Sequence, residues 1–420
     1  ADALEGMAPG SGHLQHMPGH TYSREGRWRD YAYANLGVDF TVGTHGAADG
    51  AHSADELARK HGMFAYGSAH NIYAGVHGAS TDGQLSLALF GASELRRMWS
   101  SGYTDSSTEV TVSGPNACAL GGGPGMDAGY NVALLTLARF AQWEAILAAD
   151  EEDAYPQPAT SDCPLAAVFR YYARGLAFAG LRDFGSAEAS LRALEGLLPA
   201  VGTNKVTPYR GNDHDGAEVA VLVLRARLAL LGRDGSHNAS DAASLRAAAL
   251  LEEAAAVQDS WAYSEPPSFY FPVRECYAEV LLHNVGDPTA ALQASEQVRP
   301  PSAWSLRCRA DALREIGDPR AEAAERNAEL AWARADVAAG VPSPLPTSCL
   351  TFSEQRPRAA VGNVGDQTDD APMLLFGALC AGCILFVFIL LIYQRGRKVK
   401  YQVVKGEEST ALVDDAEQKL

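Results

Sequence analysis

A run of uncharged residues near the C-terminus places the strongest constraint on how this chain folds. It extends from Met373 to Tyr393 and reads MLLFGALCAGCILFVFILLIY, which is 21 residues without an Asp, Glu, Lys or Arg. At a rise of about 1.5 Å per residue, a helix of this length covers a hydrocarbon layer of about 30 Å. The sequence therefore predicts one transmembrane helix over residues 373–393, in contact with a lipid bilayer.

The charges on either side of this run predict its orientation. Acidic residues precede it, and basic residues follow it at Arg395, Arg397, Lys398 and Lys400. Basic flanks favour the cytoplasmic side of a membrane. We therefore expect residues 394–420 to form a short cytoplasmic tail and the N-terminal part to be extracellular or luminal. A tail-anchored protein with a cytosolic N-terminal domain is the competing topology.

Composition restricts the rest of the chain. Hydrophobic residues make up 47% of the 420 residues and charged residues 20%. The chain can therefore bury a core, and this composition argues against an intrinsically disordered protein. The 51 Asp and Glu exceed the 34 Lys and Arg, and a net charge of −17 argues against nucleic-acid binding. The segment 339–372 is rich in Pro, Gly and Asp and predicts a flexible stalk.

Three further features bear on the compartment of the N-terminal part. The chain starts at Ala1, and we interpret this start as one from which a signal peptide or further repeats are missing. Asn238 opens the sequon Asn-Ala-Ser and predicts a glycosylation site if that part is luminal. The seven cysteines neither require nor exclude disulfides.

The segment 166–199 has the spacing of a helical hairpin. Small residues at Gly175 and Ala187 are predicted where two antiparallel helices approach each other, with large residues filling the space around them. The spacing resembles the 34-residue tetratricopeptide repeat. The matching positions are Tyr171, Gly175, Phe178, Ala187, Leu191 and Pro199.

Weaker units of the same kind recur along the chain. Turns are predicted at Gly26, at 81–83, and at two Gly-Asp-Pro sequences at 286–288 and 317–319, where proline starts the next helix. Residues 100–129 are rich in Ser, Thr and Gly and predict an inserted loop. We therefore expect residues 1–338 to form an all-α domain, a tetratricopeptide-like superhelix of about six antiparallel helix pairs.

Longer motifs resemble a more specific family. The segments GHLQHMPGHTYSREGRW (12–28), AHN (69–71), RFAQWEAIL (139–147), YSEPPSFYFPVRE (263–275) and SAW (302–304) occur in this order. They resemble a mostly bacterial family of large tetratricopeptide-repeat proteins of poorly defined function. The resemblance implies a helical-repeat fold over about 1–338 and does not extend to the membrane segment. Within the third motif, Arg139, Phe140 and Trp143 are interpreted as core packing.

The histidines of the first motif are candidate ligands for a metal ion. His13, His16 and His20 are spaced so that one helix face can present all three, and His70 is a fourth candidate ligand from the next repeat. Pro18 predicts a kink or a helix end between His16 and His20, which would separate them. Three interpretations remain open: packing inside the repeats, a binding groove without metal, and a site for a divalent metal such as zinc.

The proline-rich motif is the second candidate site. Glu265 precedes two prolines and is predicted to pair with Arg274 or with the start of a helix near Pro272. With the histidines, this motif predicts a binding groove. Its candidate residues are His16, His20, Tyr22, His70, Asn71, Tyr263, Glu265 and Arg274.

The sequence thus predicts a membrane-anchored scaffold that binds a protein or peptide in the concave face of its repeats. No catalytic residue and no cofactor are assigned in this interpretation. The alternative is a metal-dependent hydrolase that uses His13, His16, His20 and His70.

Overall fold

The computed structural model describes most of the N-terminal domain. The described residues are 1–4, 7–8, 10–37, 54, 68–100, 103–105, 110–112, 131–151, 164–201, 213–231, 241–261, 265, 267, 269–333 and 335–336. They contain fourteen α-helices. These are α1 (Gly12–Glu25), α2 (Trp28–Leu36), α3 (Ser68–Thr81), α4 (Leu85–Ser100), α5 (Val132–Arg139), α6 (Trp143–Glu151), α7 (Pro164–Gly180), α8 (Phe184–Leu197), α9 (Asp213–Leu230), α10 (Asp241–Asp259), α11 (Val273–Val280), α12 (Pro288–Glu296), α13 (Ala303–Glu315) and α14 (Ala321–Trp332).

The fold of this part is all-α, as the sequence predicts. One short pair of antiparallel strands, β1 (Tyr103–Asp105) and β2 (Val110–Val112), lies within the predicted loop 100–129. The remainder of that loop lies outside the described residues.

Local sequence explains where the helices begin and end. Gly26 takes a φ of 73° at the end of α1, and Gly286 takes a φ of 77° after the π-helical turn Leu281–Val285 that extends α11. Asp287 then accepts a hydrogen bond from Ala290 N, and Pro288 is the first residue of α12. The first Gly-Asp-Pro prediction is confirmed. At the second, Pro319 lies in the turn and α14 begins two residues later.

Consecutive helices pack on each other, as in a helical repeat. The pairs α1–α2, α3–α4, α7–α8, α9–α10 and α13–α14 are each in contact. Four odd-numbered helices also touch the next odd-numbered helix, in the pairs α1–α3, α5–α7, α7–α9 and α11–α13. This second set of contacts is typical of repeat proteins, in which each hairpin buries one face against its neighbour.

The small residues of the best repeat unit are buried, but Gly175 does not face α8. The nearest neighbour of a Cβ built at Gly175 would be Leu224 Cδ2 of α9, at 2.5 Å. The glycine therefore makes room for the next hairpin, while Ala187 is fully buried in α8.

Helix α1 continues through Pro18, so the predicted helix end there is wrong. Ser11 caps the helix and accepts a hydrogen bond from Leu14 N. Pro18 is buried together with His16, Gly19 and other residues of the inner face. A proline lacks one helical hydrogen bond, and the packing of this buried face outweighs that loss.

The first helices contact the last ones. The indole Nε1 of Trp28 donates to Pro301 O at 2.9 Å, and Asp336 N donates to Gly83 O at 3.2 Å. Phe140 and Trp332 both pack against Trp304. The N-terminal helices and the C-terminal segments therefore border a common open cavity.

Several predictions concern residues outside the described part. These are the stalk 339–372, the span 373–393, the tail 394–420, the sequon at Asn238 and Tyr263. Among the described residues, no helix combines the length and the apolar character that crossing a membrane requires.

Candidate functional site

Three histidines predicted from sequence meet at one atom. His16 Nε2 lies 3.2 Å from His20 Nε2 and 3.1 Å from His70 Nε2. His16 is fully buried, His20 is one turn further along α1, and His70 comes from α3. We call these three side chains with Glu265 the histidine cluster.

The other ring nitrogens of His16 and His20 are engaged by oxygen atoms. His16 Nδ1 lies 2.7 Å from Asn35 Oδ1, and Asn35 Nδ2 donates to Tyr31 O at 2.8 Å, which orients the amide. His20 Nδ1 is in close contact with Glu265 Oε2. In a neutral imidazole only one nitrogen carries a proton. Both contacts therefore favour protons on Nδ1 and lone pairs on Nε2.

The cluster differs in part from the predicted metal set. The ligand atoms of His16, His20 and Glu265 all lie within 4.8 Å of one another. His70 contacts His16 but is not in that mutually close group. His13 stacks beside His16 with a centroid distance of 6.0 Å, and it is not in the group either.

The other predicted groove residues have varied positions. Tyr22 is buried and donates from its hydroxyl to Asp2 Oδ1 at 3.0 Å, so it acts in packing. Asn71 is buried beside His70. Arg274 forms an ion pair with Asp259 rather than with Glu265.

Glu265 also lines a cavity of about 1030 Å³ between the N-terminal helices and the C-terminal segments. Its walls carry aromatic rings, prolines and charges of both signs. Among the lining residues are Arg24, Glu25, Trp28, Tyr31, His77, Asp259, Trp261, Pro267, Arg274, Glu296, Arg299, Pro300, Pro301 and Arg309.

Three nitrogen atoms of cavity-lining residues are buried without a hydrogen-bond partner among the described residues. They are His77 Nδ1, Trp261 Nε1 and Arg309 Nε. The His77 ring lies edge-on to the rings of Trp28 and Tyr31, at centroid distances of 5.6 Å and 6.3 Å. The pKa of His77 is lowered to about 4, mainly by burial and also by the positive charge of Arg139, while the charge of Glu265 opposes this shift. His77 is therefore neutral near pH 7.

The lowered pKa of His77 predicts a loss of stability in mild acid. Between pH 6.5, the ordinary pKa of His, and about 4, the unfolded chain binds a proton that the folded chain does not. The contribution of His77 to the free energy of unfolding therefore falls as the pH drops through this window. Urea denaturation at pH 7 and pH 5 should show a smaller loss in His77→Gln than in the wild type. An equal loss in both would contradict the assignment.

A buried ion pair lies behind this wall. Arg139 Nη1 is 2.6 Å from Glu275 Oε2, and each side chain is only 1% exposed. The guanidinium lies 3.7 Å from the ring centroid of Trp304, and Ser302 Oγ donates to Glu275 Oε1. The prediction of Arg139 as a core residue is confirmed, although its charge is held by a partner that the sequence did not identify.

Sequence reasoning did not identify Asn35 or His77. Asn35 lies four residues after Tyr31, on the buried face of α2, and a polar residue among buried positions was the available signal. His77 lies seven residues after His70, on the same helix. This spacing places both near one face of α3.

Comparisons with known proteins assign neither a family nor a function to this chain. No family model matches this chain, and no curated protein or solved structure matches it.

Proposed function

We propose that this protein is a membrane-anchored, tetratricopeptide-like scaffold that binds a peptide segment of a partner protein in the cavity beside the histidine cluster, without catalysis. The observation that carries this proposal is the cavity itself. Its volume of about 1030 Å³ lies at the upper end of ordinary ligand sites, which suits several side chains of an extended peptide.

The chemistry of the walls supports a peptide ligand. Protein interfaces are enriched in aromatic residues and Arg, and the cavity has Trp28, Trp261 and Tyr31 among four arginines. A peptide also carries donors and acceptors along its backbone. Its carbonyl oxygens are the kind of acceptor that Trp261 Nε1 lacks among the described residues.

Membrane anchoring and orientation rest on other observations. The uncharged run 373–393 and the basic residues that follow it support a single span with a cytoplasmic tail.

The peptide proposal is tested with peptides selected from a displayed library on the full chain. We expect Trp261→Ala to weaken the selected peptides by about tenfold or more, because buried tryptophan anchors dominate interface energies. Arg24→Glu, at the exposed rim, should weaken acidic peptides, whereas Arg192→Glu should change nothing, because Arg192 is exposed and does not line the cavity. Wild-type affinity in Trp261→Ala and Arg24→Glu would exclude the cavity as the binding site.

A metal-dependent hydrolase is the second candidate. The observation that favours it is the set of two histidines and one glutamate, which is also the ligand set of some catalytic zinc sites. Hydrolysis of a panel of peptides and esters that depends on added Zn²⁺ and is lost in His16→Ala would favour it over the scaffold.

A further inference from the structure

We propose that the histidine cluster is a binding site for a divalent first-row transition-metal ion, with His16 Nε2 and His20 Nε2 as its central ligands. His70 supplies a further imidazole, and Glu265 and Asn35 orient the two central rings. Peptide binding in the cavity does not require this site. The proposal therefore stands apart from the scaffold function.

The first argument is the number of partners around one lone pair. With its proton on Nδ1 facing Asn35 Oδ1, His16 presents a single lone pair on Nε2. Two imidazole nitrogens, of His20 and His70, lie within hydrogen-bond distance of that one atom. One lone pair accepts one strong hydrogen bond, so hydrogen bonding accounts for only one of these two neighbours. A metal ion between the rings would instead accept one lone pair from each imidazole.

The second argument is the separation of the nitrogen atoms. Zinc–nitrogen bonds are about 2.0–2.1 Å long, so two nitrogen ligands of a tetrahedral ion lie about 3.3 Å apart. The observed separations of 3.2 Å and 3.1 Å from His16 Nε2 are close to that value. Little movement of the His16 and His20 rings is therefore needed to admit an ion.

The third argument is the support behind the ligands. Histidines that bind metals usually donate their other N–H to a carboxylate or carbonyl oxygen. Here Glu265 Oε2 contacts His20 Nδ1, and Asn35 Oδ1 contacts His16 Nδ1. His16, Asn35 and Glu265 are all buried, which limits competition from water.

The ligand types define the class of ion. Imidazole nitrogen suits Zn²⁺, Cu²⁺, Ni²⁺ and Fe²⁺, whereas Ca²⁺ and Mg²⁺ prefer sites made of oxygen atoms. The site therefore selects transition metals. It also joins α1, α3 and the segment around Glu265, so a bound ion would hold the cavity wall together and raise the unfolding temperature.

The test is titration of the full chain, purified in a mild detergent after chelator treatment, with Zn²⁺ and separately with Co²⁺. We expect one ion per chain by calorimetry and elemental analysis, a higher melting temperature, and visible d–d absorption from Co²⁺ in a nitrogen-rich site. His16→Ala should abolish these signals, and His20→Gln should weaken binding at least as much as His70→Gln. Glu265→Gln should weaken binding about 10–100-fold, as expected for an orienting residue.

Two controls distinguish this site from other side chains that can bind a metal ion. His283 pairs with Glu279 on the exposed surface at 3.1 Å, and His283→Ala should leave binding unchanged. His214, Asp215 and Glu218 form another close donor group among the described residues. Retained binding in His16→Ala and His20→Gln together with loss in His214→Ala would move the ion there and overturn the proposal.

A wild-type chain that binds less than a tenth of an equivalent would also overturn the proposal, whatever the variants do. In that case the cluster is a set of side chains joined by the contacts of His20 with Glu265 and His16. If His16→Ala does not fold, the proposal is decided by the wild-type titration and the half-buried His20→Gln and His70→Gln variants. Unchanged binding in both of these would contradict it.

Discussion

Replacing Arg139 by methionine is expected to lower the free energy of unfolding by about 3–5 kcal/mol. The substitution retains an apolar side chain of similar length but removes the positive charge. Glu275 then remains in the interior as a buried carboxylate without its cationic partner. Leaving one partner of a buried pair behind is costly because the charge has lost its solvation by water.

The surroundings of Arg139 explain why methionine does not compensate. The guanidinium packs over Trp304 at 3.7 Å and near Phe271 at 5.2 Å. Cation–π contacts of this kind add about 2 kcal/mol or more when they are desolvated. The hydroxyl of Ser302 still donates to Glu275, but one hydrogen bond does not replace the ion pair.

Urea denaturation of the full chain at neutral pH measures this effect. The control is the double variant Arg139→Met/Glu275→Leu, which removes both charges and leaves an apolar contact. We expect it to recover most of the lost stability, because buried ion pairs are often replaced by apolar residues at little cost. A double variant as unstable as Arg139→Met would show that the loss comes from packing around Trp304 and not from the orphaned charge.

Local rules predicted much of the fold. Turns at Gly26, at 81–83 and at Gly286 lie where the sequence placed them, because a glycine ends the helix and an Asp-Pro sequence can begin the next. The small residues at Gly175 and Ala187 correctly marked buried positions. These features depend on neighbours in sequence, and for that reason they can be seen without a structure.

Contacts between distant parts of the chain were not predictable in the same way. Pro18 was expected to interrupt α1, but the packing of the buried face keeps the helix continuous and brings His16 and His20 one turn apart. The contact of Trp28 with Pro301 depends on the summed curvature of all the intervening hairpins. No local pattern encodes that curvature.

In the candidate site, too, features set by local sequence were predictable and contacts between distant parts of the chain were not. His16 and His20 were identified from their spacing, and His70 from its motif. The contact of Glu265 with His20 rather than with Arg274 requires two distant parts of the chain to meet. Asn35, which fixes the proton position on His16, has no motif of its own.

Replacing Gly78 by alanine is expected to destabilise the protein by about 1–3 kcal/mol, the usual range for overpacking a tight contact. A Cβ at Gly78 would lie 2.9 Å from Ala32 N and 2.9 Å from Tyr31 Cδ1. One of these atoms belongs to the backbone of α2 and cannot rotate away. Helix α3 must therefore move away from α2.

The matched control is Gly196→Ala in α8, where an added Cβ meets no atom within 4 Å. Both substitutions gain the same kind of helix propensity, up to about 1 kcal/mol. Gly196→Ala should therefore be neutral or stabilising in urea denaturation, and the difference between the two variants isolates the cost of separating α2 from α3. Equal stabilities would show that α3 does not pack on α2 at this distance. Because Tyr31 and His77 flank this contact and line the cavity, the shift in Gly78→Ala should also weaken any peptide that binds there.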